Sequence, residues 1–84
     1  MTYRIRLTRQ AVKDVKKLSR KLQTKLKDIL RNRLATDPYS GKALVGDLNG
    51  HYSVRLTYKD RIVYSIHDDE LVILVVRART HYGD

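Results

Sequence analysis

Arginine, histidine and tyrosine crowd the segment Arg77-Ala78-Arg79-Thr80-His81-Tyr82, and these are the groups that metal-free cleavage of RNA requires. A guanidinium holds a pentavalent phosphate through a planar fork that keeps its proton. Imidazole moves protons near neutral pH, and a phenol stacks on a base or bonds a phosphate. A strand ending in a solvated basic tail would contain the same residue types. The segment becomes informative only if other cations converge on it, and Arg55, Arg61, Lys42 and Lys59 are the ones to place.

Positioning those groups falls to elements that hydrophobic periodicity defines. Tyr3-Arg4-Ile5-Arg6-Leu7 alternates as a strand does, and Thr8 can cap a helix with Ala11, Val12, Val15 and Leu18 on one face. Ser19 interrupts that pattern. A second helix follows with Leu22, Leu26, Ile29, Leu30 and Leu34 inward and Asp37-Pro38 as its stop. The stretch from Pro38 to Gly50 reads as a loop, with Leu44, Val45 and Leu48 tucked against the core. Strands are then expected over Tyr52 to Tyr58, Arg61 to His67 and Leu71 to Arg79, joined by Lys59-Asp60 and Asp68-Asp69-Glu70. The expected fold is α+β: two N-terminal helices on one face of a mostly antiparallel four-stranded sheet, in the order β-α-α-β-β-β, forming one domain over residues 1–84.

Alternation then sorts the side chains. With Tyr52, Val54, Leu56 and Tyr58 facing the helices, Ser53, Arg55 and Thr57 face the other way. On the last strand Val72, Leu74, Val76 and Ala78 form the expected core set, which sends Ile73, Val75, Arg77 and Arg79 to the opposite surface. Arg61, at the head of the middle strand, leans over that same surface. Guanidiniums from three strands beside His81 and Tyr82 make a phosphate-binding arrangement.

Charge and composition set the surroundings. The formal net charge is +9, and twelve of the eighteen Lys and Arg lie in residues 1–33 beside only Asp14 and Asp28. A field of that size attracts a polyanion, with RNA or a ribonucleoprotein the leading partner class. There is no cysteine, so neither disulfides nor thiolate metal sites support the fold, which suits a reducing cytoplasm. His51, His67 and His81 match no metal-ligand spacing. No metal and no cofactor are therefore expected. The longest apolar run, Leu71 to Val76, is too short to cross a bilayer, so no membrane partner is expected.

The pieces Leu48-Asn49-Gly50-His51-Tyr52-Ser53-Val54-Arg55-Leu56, Asp60-Arg61-Ile62-Val63-Tyr64 and the closing Thr80-His81-Tyr82, set in the order strand, two helices, loop and strands, resemble the RelE/ParE toxin superfamily, nearest its YoeB/Txe branch. The likeness spans essentially the whole chain. It implies a toxin of a bacterial toxin–antitoxin pair that enters the ribosomal A site and cuts mRNA there, and that a cognate antitoxin neutralises. By position, Arg61 matches the arginine that steadies the phosphate, His81 the histidine of proton transfer and Tyr82 the terminal tyrosine. Arg55 matches a basic position that contacts the substrate backbone. Ser53 and Val54 lack basic groups that relatives often carry nearby.

One departure bears on mechanism. The branch places a glutamate base in the loop before the Leu-x-Gly segment, and the corresponding place in this chain is Lys42 or its immediate surroundings, in a loop without glutamate. His81 is then the first choice of base, with Lys42 and Lys59 behind it, since lysine serves only where its pKa is lowered. The catalytic candidates are His81, Arg61 and Tyr82; the substrate-binding candidates are Arg55, Arg79, Arg77, Lys59 and Lys42. A non-catalytic toxin of the ParE kind, acting on DNA gyrase, is the alternative that the missing glutamate favours. The sequence is compatible with a homodimer and does not set the oligomeric state.

Overall fold

Thr8 turns the chain from strand β1 (Arg4–Leu7) into helix α1 (Arg9–Lys16), because one side chain does two jobs. Its hydroxyl oxygen accepts from the Ala11 N–H at 3.1 Å and the same hydroxyl donates to the Val76 carbonyl at 3.1 Å. An N-cap of this kind is worth about 1 kcal/mol, and here it also fixes the corner to the sheet. Ser19 ends the first helical pattern as expected: its Oγ caps helix α2 (Arg20–Ile29) through the Leu22 N–H at 3.2 Å. Gln23 bridges the two helices by donating to the Val15 and Leu18 carbonyls.

Helix α2 continues into one π-helical turn, Leu30–Leu34, closed by the Ala35 N–H on the Leu30 carbonyl. The wider turn lets both Leu30 and Leu34 face the core, where each is buried. A short 3₁₀ turn, Pro38–Ser40, follows. This computed structural model describes residues 2–78; the sequence candidates Arg79, His81 and Tyr82 lie outside the described residues.

Among the described residues the sheet has five strands, which corrects the expected four. Lys42–Ala43 forms strand β2, followed by β3 (His51–Arg55), β4 (Arg61–His67) and β5 (Val72–Arg77). A two-residue strand has no periodicity to read, so the loop-like composition around it concealed the pairing. The order is β1-β5-β4-β3-β2, with β1 parallel to β5 and the other three pairings antiparallel. The sheet is therefore mixed. The strand expected over Tyr52 to Tyr58 is β3, which ends early at Arg55, and Tyr58 stands 83% exposed in the following turn.

Strand β5 corrects the facing rule. Ile73 and Val75, assigned by alternation to the open surface, are fully buried in the core with Leu26, Leu34, Ile62 and Tyr64. A central strand covered on both faces reads as a continuous apolar run, so its phase cannot be taken from sequence. A bulge also intervenes, since Tyr64 pairs with Val75 while Val63 pairs with Arg77. The extra residue shifts the alternation by one, and Ala78 reaches the same core as Val75.

Candidate active site

The face of β3 and β4 turned away from the helices carries two of the candidate cations, Arg55 and Arg61. Val54 and Ile62 pair across the two strands and point into the core, so the next pair along, Arg55 and Arg61, points outward. Directly paired strand residues have Cα atoms about 4.5–5.5 Å apart, which puts two guanidinium stems side by side. The turn between them is tied internally. The Leu56 and Thr57 N–H groups both donate to the Asp60 carbonyl, and the Thr57 hydroxyl oxygen accepts from the Lys59 and Asp60 N–H groups. Lys59 occupies that turn as an exposed side chain.

Lys42 joins Arg61 through the strand that sequence reading did not find. On β2 it pairs with Ser53 of β3, two residues from Arg55 along the strand. A cavity of about 390 Å³ lies there, lined by Lys42, Ser53 and Arg61 together with Leu44, Val45 and Leu48 of the connection that follows β2. Val45 does not tuck inward as expected: it is 84% exposed. Gly46 and Gly50, at φ +71° and +93°, supply the left-handed backbone on which this connection bends.

Ser53 is the residue that sequence reasoning passed over. It is 2% exposed, and among the described residues its hydroxyl oxygen has no hydrogen-bond partner. A buried hydroxyl left unpaired carries a desolvation cost of about 1–3 kcal/mol. Only the pairing of β3 with β2 reveals it, so no pattern in the sequence could have flagged it. His51 lies on the same outward face, opposite Ser65, with a buried Nδ1 that is also unpartnered.

Arg77 is placed elsewhere. Its Nε donates to Asp14 Oδ2 at 2.8 Å, and Asp14 on α1 also accepts from the Ala78 N–H and from Gln10. Burial alone would push the Asp14 carboxyl up, yet the hydrogen bonds from Arg77, Ala78 and Gln10 outweigh it and hold the pKa below the ordinary 3.8. A carboxylate with a side chain 5% exposed needs that counter-charge. Arg77 therefore stands at the α1 end of the sheet, outside the wall that Lys42 and Arg61 share.

Tyrosines brace the other end of β2. The Tyr64 hydroxyl donates to the Pro38 carbonyl at 2.7 Å, and its ring stacks on Tyr52, which meets Tyr39 edge-on. Burial pushes the Tyr64 phenol up to about 12. Tyr39 and Tyr3 both donate to the Asp68 carboxylate, which lowers the Asp68 pKa and raises that of Tyr39 to about 12. A second cleft, about 430 Å³, runs between β1 and the helices, with Ile5, Leu7, Val15 and Leu30 inside and Lys27 and Arg31 at its edge. Among the described residues no three His, Cys, Asp or Glu side chains gather as a metal site, and no helix is long and apolar enough to cross a membrane.

A helix pair laid on a mixed sheet is a fold that this chain shares with solved bacterial toxins. The solved structure titled as the toxin–antitoxin complex RelBE2 from Mycobacterium tuberculosis superposes with a TM-score of 0.86 at 27% identity, covering 100% of this chain and 95% of that one. A YoeB/ParE toxin from Agrobacterium tumefaciens gives 0.84 at 26% identity, over 94% and 99%. The model of the YoeB-like toxins of bacterial type II toxin–antitoxin systems matches residues 8–82. The chain belongs to that family. It is also 38% identical over 71 residues to Toxin YoeB of Streptomyces coelicolor, covering 80% of this chain and 76% of that protein.

Proposed function

We propose that this toxin is a metal-independent endoribonuclease that cuts mRNA in the ribosomal A site and thereby stops translation. The observation that carries the reading is the joining of Lys42, Arg55 and Arg61 on one open face, with Lys42 and Arg61 on a common cavity. In this reading Arg61 forks the scissile phosphate and Arg55 holds the flanking backbone. The 2′-oxygen attacks phosphorus while a base takes its proton. The bond from phosphorus to the 5′-oxygen breaks, that oxygen receives a proton, and a cyclic phosphate results, open to hydrolysis to the 3′-phosphate. His81 moves protons, Tyr82 contacts the nucleotide, and Arg79 adds charge. Lys42, exposed on β2, takes the place of the family glutamate and in this reading contributes positive charge to the phosphate.

A site with so few acid–base groups gains most from a substrate already splayed and oriented, which the ribosome supplies. The same reading assigns action in the cytoplasm and a cognate antitoxin, as the complex named for the Mycobacterium tuberculosis relative has. An acidic amphipathic segment would suit the apolar cleft edged by Lys27 and Arg31.

The test is induced expression followed by mapping of cuts in ribosome-bound messages. Arrested translation with cuts is expected, and Arg61→Ala should lower cleavage by about 10²–10³-fold. His81→Ala should abolish it. DNA-damage signalling with intact mRNA would reject the nuclease and select the gyrase-directed alternative.

A further inference from the structure

We propose that helix α1 clamps the exit of β5, which makes Asp14 a positioning residue for His81. The inference rests on the nuclease reading for its catalytic consequence. Strand β5 ends at Arg77, and the next peptide N–H, that of Ala78, donates to Asp14 Oδ2 on the helix at 3.1 Å. The same carboxylate accepts from Arg77 Nε at 2.8 Å and, through Oδ1, from Gln10 Nε2 at 3.0 Å. One residue earlier in β5, the Val76 carbonyl accepts from the hydroxyl of Thr8, the cap of α1, at 3.1 Å. Val76, Arg77 and Ala78 are therefore each bonded to a side chain of α1 or its cap, and Ala78 is fully buried in the core.

The bulge explains why the exit needs such a hold. The register of β4 on β5 shifts between Val63 and Tyr64, so Arg77 pairs with Val63 after the alternation has changed phase. A disrupted ladder bends the strand and fixes its direction less firmly. Asp14 is 4% exposed, yet a buried ion pair is weak evidence for stability, because apolar side chains of similar volume often do as well. Apolar packing does not supply direction. A hydrogen bond weakens steeply once its angle closes, whereas the hydrophobic effect is non-directional. His81 follows Ala78 by three residues in the chain, and three residues span at most about 11 Å. Over so short a reach a shift of the Ala78 anchor passes to the imidazole, and about 1 Å of misplacement can cost on the order of 10²-fold in rate.

The test measures cleavage of ribosome-bound mRNA by the full chain at a temperature where every variant is folded. Asp14→Asn keeps the shape of the side chain and removes its charge and one acceptor. Its kcat is expected to fall by at least about tenfold with KM within about twofold. Ser19→Ala is the stability control, because it removes the cap of the other helix, α2, and its kcat should stay within about twofold of wild type. Should Asp14→Asn fail to fold, Gln10→Ala replaces it: Gln10 is exposed, and its loss loosens the carboxylate from one side, for an expected fall in kcat of about threefold or more. Wild-type kcat in the clamp variant, or an equal loss in Ser19→Ala, would overturn the proposal. Nitrogen-15 spectra of the same proteins give a readout independent of cleavage. The amides of residues 78–82 should move in the clamp variant while those of β3 stay, and unmoved amides there sink the clamp even if kcat falls. A wild-type chain that never cuts, with amides that do respond, sinks the nuclease alone.

Discussion

Replacing Gly41 by alanine tests how β2 is held in place, and with it how Lys42 reaches Arg61. Gly41 has extended backbone, φ −78° and ψ 172°, which alanine adopts freely, so the cost of Gly41→Ala is steric. The added Cβ would lie 2.2 Å from the Tyr64 hydroxyl oxygen, 3.1 Å from its Cζ and 3.0 Å from the Ser53 carbonyl. Tyr64 is fully buried, stacked on Tyr52 and bonded to the Pro38 carbonyl, so its ring has nowhere to retreat. Overpacking of this kind costs about 1–3 kcal/mol, and displacing the phenol from its acceptor adds about 1 kcal/mol. A loss of about 2–4 kcal/mol follows, and at ~4–8 °C per kcal/mol in a domain of this size the Tm falls by at least about 10 °C.

The control is Tyr64→Phe, which removes the clashing oxygen. Alone it costs about 1 kcal/mol for the lost hydrogen bond. Combined with Gly41→Ala it should be less destabilising than the sum of the two by about 1–2 kcal/mol, because the closest contact has gone. Urea and thermal unfolding of the four proteins measure the cycle, and nuclease activity should fall in Gly41→Ala and recover in the double variant as Lys42 returns opposite Ser53. Strict additivity, or a Gly41→Ala protein with an unchanged Tm, would refute this account of the packing.

Asp14→Asn should destabilise by about 1–3 kcal/mol, less than the ~3–5 kcal/mol of a fully buried pair because the Arg77 side chain is 38% exposed. Since the Asp14 pKa is lower folded than unfolded, the wild-type advantage is complete above about pH 4–5 and vanishes as pH falls through the folded value. Urea unfolding of both proteins across pH 2–7 should therefore show a gap that is full at neutral pH and narrows as pH falls below the ~3.9 of an unperturbed aspartate. Asp68→Asn should bring the Tyr39 phenol from about 12 back toward the ordinary 10.0, read by carbon-13 NMR of labelled tyrosines at alkaline pH. Thr8→Ala should cost about 1–2 kcal/mol in urea unfolding, because it removes both the helix cap and the bond to the Val76 carbonyl.

Local chemistry determined much of this protein in advance. Thr8 announced its helix because an N-cap is a property of a few consecutive residues, and Ser19 marked the break between the two helices without declaring itself the cap of the second. The alternation over Arg61–His67 gave that strand its observed limits because one of its faces is core. The RelE-like order of elements and the outward pair Arg55 and Arg61 were legible for the same reason. Tertiary structure alone decided the rest. Lys42 meets Ser53 only because a two-residue strand pairs at the sheet edge, and so short a segment carries no period. Arg77 turns to Asp14 because a buried carboxylate on a distant helix requires a cation, a need that no spacing along the chain records. The phase of β5 was set by a bulge and by burial on both faces. An apolar run with no polar residue at every second position is equally favourable in either phase until its neighbours choose.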